Sequence, residues 1–243
     1  MQRVERVTTA YQTLEVWKSK LACEFRVEGA VHAWFHRDRF LTGLAWDLIA
    51  AGSLLGKQRP ESILMLGLAG GTSFRAIRQL LPNCKLTAVD IDGEVVDLAR
   101  GYMKLDDLDI EVVIDDGYRW LADNRRQFDV VIDDIYLAGN ADVYRPSSPV
   151  EVDTLSRLKQ AVAPGGILAV NLVIGEGHRA LQSQTRKCLK QAYPMVRSIR
   201  TPQALNEVLV AGRNLAGMKR LREHLFEHPR DCAYWRELSQ RKI

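Results

Sequence analysis

Acidic residues stand at the ends of three short, mostly apolar stretches: Asp90 and Asp92 after residues 86–89, Asp115-Asp116 after 110–114, and Asp133-Asp134 after 128–132. A carboxylate at a strand end can accept hydrogen bonds from two ribose hydroxyls, attract a cationic amine, or take a proton from one. A further apolar run, residues 63–66, breaks into Gly67-Leu68-Ala69-Gly70-Gly71-Thr72, after which Phe74, Ile77, Leu80 and Leu81 fall at helical spacing. Glycines there let the backbone approach a ligand, and a helix N-terminus offers polarised amides. The combination suits an adenosine-type ligand with Asp90 on its ribose. Any single acid reads equally well as a solvated turn or a helix cap. A row of them at successive strand ends is harder to explain by packing. Neighbours on a strand face opposite ways, so only one of each Asp pair need reach the ligand.

The elements that would position these residues follow from periodicity. Residues 1 to about 35 alternate weakly around a Glu28-Gly29 turn, which predicts a hairpin or small sheet. Spacing predicts a helix over 40–55, then strands at 63–66, 86–89, 110–114, 128–132 and 167–173 with helices between them. Residues 137–148 read as a loop, 150–162 as a helix stopped by Pro164-Gly165-Gly166, and 178–192 as another helix. Strands at 195–199 and 207–210 are too close together for a crossover helix, so they are antiparallel neighbours. Residues 215–225 and 234–238 read as closing helices. The fold class is therefore α/β: a Rossmann-like class I methyltransferase fold with a mostly parallel seven-stranded sheet, one strand antiparallel, preceded by the N-terminal hairpin or sheet. The expected division is 1–55 for the N-terminal hairpin and helix, and 56–243 for the nucleoside-binding unit.

Composition narrows the classes. With 243 residues, 47% hydrophobic and 26% charged, the chain supports one sizeable soluble core. Its net charge of +4, from 34 basic and 30 acidic residues, is mild and scattered, so no nucleic-acid partner is expected. No apolar run reaches membrane-spanning length, and no secretory signal is visible. Cys23, Cys84, Cys188 and Cys232 form no Cys-x-x-Cys pair, which reads as reduced thiols in the cytoplasm. His224, His228 and Cys232 share a four-residue spacing, but Pro229 breaks the helix that would align them, so no metal is expected.

The motifs at 66–72, 89–92 (Val-Asp-Ile-Asp), 115–121 (Asp-Asp-Gly-Tyr-Arg-Trp-Leu), 128–134 (Phe-Asp-Val-Val-Ile-Asp-Asp) and 163–168 (Ala-Pro-Gly-Gly-Ile-Leu) resemble the spermidine synthases, the polyamine aminopropyltransferases. The resemblance runs from about Tyr11 to Leu172. It implies a transferase, usually a homodimer, that moves an aminopropyl group from decarboxylated S-adenosylmethionine to a small-molecule amine in polyamine biosynthesis, without a metal. It implies a nucleoside site of Gln12, Gly67, Ala69, Gly70, Gly71, Asp90, Ile91, Asp116, Gly117 and Asp133. Within it, Asp90 would hold the ribose, Asp116 with Gly117 the adenine amino group, and Gln12 would touch the nucleoside from the hairpin. Asp134 matches the acid that deprotonates the attacking amine. Tyr136 and Tyr144 flank the following loop as candidate acceptor contacts, where aromatic walls suit a cation, and read equally well as buried anchors of that loop.

Three positions depart from the resemblance. Ala69 stands where the family has an acid that repels the carboxylate of S-adenosylmethionine. Leu137 and Thr42-Gly43-Leu44 stand where it has polyamine-holding groups. Aminopropyl transfer is therefore the leading reading. S-adenosylmethionine-dependent methyl transfer is the alternative, and a nucleoside-binding, non-catalytic homologue the second alternative.

Overall fold

A computed structural model describes residues 1–139, 143–145, 152–217, 219, 221 and 237–243, with the side chains of Ala138, Val143, Tyr144 and Val152 excepted. Four antiparallel strands open the chain in sequence order: β1 (Gln2–Thr8), β2 (Thr13–Lys18), β3 (Ala22–Val27) and β4 (Ala30–His36). Alternation is the cause. Leu14, Val16, Cys23, Phe25 and Ala33 are buried, while Glu15 and Glu24 between them are not.

The first helix, α1 (Ala45–Ser53), is shorter than its periodicity predicts. Gly43 takes φ +79°, and the buried Asp47 carboxylate accepts hydrogen bonds from the Thr42 and Gly43 amides (2.9 Å each) and from the Thr42 hydroxyl (2.8 Å). Residues 42–44 are thus a turn tied to the first helical turn.

The main sheet is built from β5 (Ser62–Leu66), β6 (Lys85–Asp90), β7 (Ile110–Ile114), β8 (Phe128–Asp133), β11 (Val162–Val173), β12 (Met195–Arg200), β13 (Asn206–Gly212) and β14 (Ser239–Lys242). Between β8 and β11, β9 (Leu137–Ala138) and β10 (Val143–Tyr144) make a two-stranded pair inside the expected loop. The helices are α2 (Thr72–Leu80), α3 (Gly93–Met103), α4 (Gly117–Asp123), α5 (Val152–Ala161) and α6 (Arg179–Ala192). The strand order is β14-β12-β13-β11-β8-β5-β6-β7. β5, β6, β7, β8 and β11 are parallel, and β13 runs antiparallel to both of its neighbours. The expected seven strands with one reversed are present, and β14 adds an eighth on the edge, antiparallel to β12. Glu237 and Leu238, expected in a closing helix, lead into β14 as turn and coil. Most of 215–225 lies outside the described residues. β11 starts earlier than expected, because Pro164-Gly165-Gly166 forms an irregularity within the strand and does not end a helix.

Helices cover both faces of the sheet, which is why its central strands are rich in apolar residues on both faces. Ile63 and Met65 pack in the layer of Leu48, Phe74 and Val96. Leu64 and Leu66 pack in the layer of Tyr118, Leu158 and Leu189. The small sheet is fastened to this body by polar contacts. The Trp34 amide donates to the Thr72 hydroxyl (2.8 Å), which donates back to the Trp34 carbonyl (3.0 Å). Tyr102 donates to Glu5 (2.7 Å) and Thr9 to Asp92 (2.7 Å). No described helix is long and apolar enough to cross a membrane.

Candidate active site

The carboxyl ends of β5, β6, β7 and β8 open into a cavity of about 530 Å³, where a doubly wound sheet places its ligand. Gln12, Gly67, Ala69, Asp90, Ile91, Asp116, Gly117, Asp134 and Tyr136 line it. Gly70, Gly71 and Asp133 do not. The two glycines serve packing: a Cβ on Gly70 would strike the Met103 sulfur and Ala33, and one on Gly71 would meet Leu105 at 2.5 Å. Gly67 serves a close approach of backbones. It has φ +85°, donates to the Val89 carbonyl (2.8 Å), and a Cβ there would lie 2.5 Å from the Asp134 carbonyl oxygen. Gly67→Ala is expected to cost at least about 2 kcal/mol in urea denaturation. A wild-type midpoint would show that the β5 and β8 ends can part freely.

The loop amides do not point at an open ligand site as the glycine turn alone suggests. Those of Leu68 (2.7 Å) and Ala69 (2.9 Å) donate to one oxygen of Asp90, and the Asp92 amide donates to the other (3.0 Å). Asp90 therefore shapes the glycine turn, and its second oxygen keeps acceptor capacity for a hydroxyl. Burial raises its pKa, against the pull of these three amides. Ala69 is held at φ +46°, which a non-glycine residue tolerates here because its amide is anchored.

The remaining acids divide by face. Asp92 caps α3 through the Val95 amide (3.3 Å) and receives Thr9 and Gln12 (3.3 Å), which brings the hairpin over the cavity. Asp116 caps α4 with one oxygen, taking the amides of Tyr118 (2.9 Å) and Arg119 (3.0 Å). Asp115 turns outward to Arg119. Asp129 is structural: it accepts from the Glu61 and Ser62 amides and the Ser62 hydroxyl at the start of β5.

At the end of β8 the period of two separates Asp133 from Asp134. Asp133, grouped with the nucleoside residues from its motif, is instead fully buried on the far face. There it pairs with Arg145 and accepts from Tyr118 (3.0 Å). Arg145 also donates to the Asn171 carbonyl (2.7 Å) and lies 4.9 Å from the Tyr136 ring centre. Tyr136 donates to the Asn171 carbonyl and accepts from the Val173 amide, both at 3.0 Å, so its hydroxyl anchors the loop. The side chain of Tyr144 lies outside the described residues.

Asp134 faces the cavity. Asn171 donates to it at 2.7 Å, and Asn206 donates in turn to Asn171 at 3.1 Å. Burial pushes the Asp134 carboxyl up to about 7, with Asp133 and Asp90 adding to the rise while Asn171 and the Arg145 charge oppose it. A carboxylate with that affinity is matched to proton transfer at neutral pH. Arg145 and Asn171 are the contributors that sequence reasoning missed. Asn171 left one signal, a polar break in the apolar run of β11. Arg145 lies in an aperiodic loop and left none.

Among the described residues no three His, Cys, Asp or Glu side chains are grouped to hold a metal ion. His224, His228 and Cys232 lie outside those residues. Burial pushes the thiols of Cys23 and Cys84 up to about 11, so neither is a nucleophile at neutral pH.

Known proteins resemble this chain in sequence and in fold. A probable polyamine aminopropyl transferase of Bifidobacterium longum is 31% identical over 146 residues, 60% of this chain and 31% of that one. An eEF1A lysine and N-terminal methyltransferase homolog of Drosophila melanogaster is 28% identical over 158 residues, 61% of this chain and 23% of that one. The match thus spans a third or less of either relative. Among solved structures, a spermidine synthase in complex with the transition-state analogue AdoDATO superimposes with a TM-score of 0.71 at 16% identity, covering 90% of this chain and 76% of that one. Human methyltransferase-like protein 13 in complex with SAH gives 0.58 at 23% identity, covering 77% and 88%. These two likenesses establish the fold. The family model for the spermine/spermidine synthase domain matches residues 46–210, from α1 to β13 and through the main-sheet strand ends that line the cavity, and the chain belongs to that family.

Proposed function

We propose that the protein transfers an aminopropyl group from decarboxylated S-adenosylmethionine to an amine, with Asp134 as the base. The observation that carries this reading is the Asp134 carboxyl, facing the cavity with its pKa pushed up to about 7. An amine arrives as an ammonium ion. Asp134 attracts it, takes its proton and leaves a lone pair free to attack. When bound, the donor supplies a sulfonium carbon: the C–N bond forms there as the C–S pair returns to sulfur, leaving a neutral thioether nucleoside. Asp90 would hold the ribose, Asp116 with Gly117 the adenine amino group, and Gln12 would close over the nucleoside.

Charge favours the decarboxylated donor. Asp90, Asp92, Asp116 and Asp134 line the cavity, and none of its described lining residues is Lys or Arg. A methionine carboxylate would meet no side-chain cation there, and Asp90 already occupies the Leu68 and Ala69 amides. Methyl transfer from S-adenosylmethionine is the second reading, favoured by Ala69, whose methyl offers no charge to repel that carboxylate. Calorimetry separates the two. Decarboxylated S-adenosylmethionine is expected to bind at least about tenfold more tightly than S-adenosylmethionine. Equal or reversed affinity would move the assignment to methyl transfer.

A further inference from the structure

We propose that the acceptor is a monoamine, a single cationic nitrogen on an apolar body, and not a diamine or polyamine. The inference rests on the alkyl-transfer reading above and concerns the half of the cavity under β8, β11 and β13. On that side the described lining residues are Asp134, neutral polar groups already engaged, and apolar walls. Asn171 is spent on Asp134 and Asn206, Tyr136 on the backbone of β11, and Gln203 on Thr201 and Glu237.

Among the described residues, Glu237 holds the Gln203 amide and the other acids near this side are committed elsewhere. Asp133 pairs with Arg145, Asp47 binds the 42–43 turn, and the buried Glu207 faces Arg186, Arg200 and Ser198. The walls themselves are Leu44, Trp46, Leu137, Val173 and Leu205. Leu44 and Leu205 remain exposed at the mouth, Leu205 by 76%, so the apolar surface runs from the rim inward.

One ammonium can sit against Asp134. A second, a few carbons away, would leave water for an apolar wall that offers no counter-ion among the described residues, whereas a hydrocarbon body would gain by being buried there. The described lining discriminates by what it does not pair.

The test is calorimetry on the whole chain saturated with 5′-methylthioadenosine, titrated with hexylamine and with 1,4-diaminobutane. Hexylamine is expected to bind at least about tenfold more tightly. Leu137→Asp, which sets a second carboxylate in the wall, should shift the ratio at least about tenfold toward the diamine, and Asp134→Asn should weaken hexylamine. Tighter binding of 1,4-diaminobutane to the unaltered protein would overturn the proposal. So would the absence of hexylamine binding while 5′-methylthioadenosine binds, an outcome that leaves the nucleoside site standing. Failure of 5′-methylthioadenosine to bind would instead remove the alkyl-transfer reading, and this inference with it.

Discussion

Replacing Asp134 with Asn is expected to lower turnover about a thousandfold while nucleoside affinity stays near that of the unaltered protein. Asn keeps the shape and can still accept the Asn171 amide, but it cannot take a proton. The pH profile carries the same signature. With its carboxyl at about 7, Asp134 must be ionised to act as a base, so the rate should climb through that pH and level off above it. The variant's residual rate should lack this step. Stability should move the other way. Because the folded pKa lies above the ordinary carboxylate value, Asp134 favours folding fully at acid pH and loses that contribution as pH rises through about 7. Asp134→Asn should therefore raise the melting temperature at pH 8 relative to the unaltered protein, and do so less at pH 4. A variant with unchanged turnover, or a gain in stability independent of pH, would remove Asp134 from the chemistry.

Arg145→Met is expected to destabilise the fold by about 3–5 kcal/mol in urea denaturation. The reason is what it leaves behind. Asp133 is fully buried and Arg145 nearly so, and no other cationic side chain is described as paired with Asp133. Replacing both partners, Asp133→Leu with Arg145→Met, removes the stranded charge and should recover most of the loss. A second readout separates this pair from simple packing. The Arg145 charge lowers the Asp134 pKa, so the rate profile of Arg145→Met should shift to higher pH. A loss under about 1 kcal/mol would mean that water reaches Asp133 when its partner is gone.

The two variants also divide what the chain discloses before folding. Strand and helix order was legible because both faces of the sheet are covered: stretches rich in apolar residues and 3.6-residue stripes are the direct trace of that burial. The reversed strand β13 was legible from the brevity of residues 201–206. Asp90, Asp116 and Asp134 could be placed near a ligand because a strand end is a position the sequence marks. The acid caps were hidden in plain view. Asp92 and Asp116 are helix caps and cavity-lining groups at once, so the structural and functional readings of those residues hold together.

Other assignments needed distances that one-dimensional spacing does not contain. Sequence fixes that Asp133 and Asp134 face opposite ways, but which of them meets the cavity depends on which layer of helices lies over each face. Arg145 decides the matter by arriving from an aperiodic loop to pair with Asp133 on the far side. The three glycines at 67–71 looked alike in the chain, yet of them only Gly67 borders the cavity; Gly70 and Gly71 yield space to Met103, Ala33 and Leu105. The identity of each acid and its place at a strand end are therefore properties of the sequence. The elevated pKa of Asp134 belongs to the tertiary structure, because burial with the nearby charges of Asp133 and Asp90 raises it against the pull of Arg145 and Asn171, groups brought near it from separate strands and a loop.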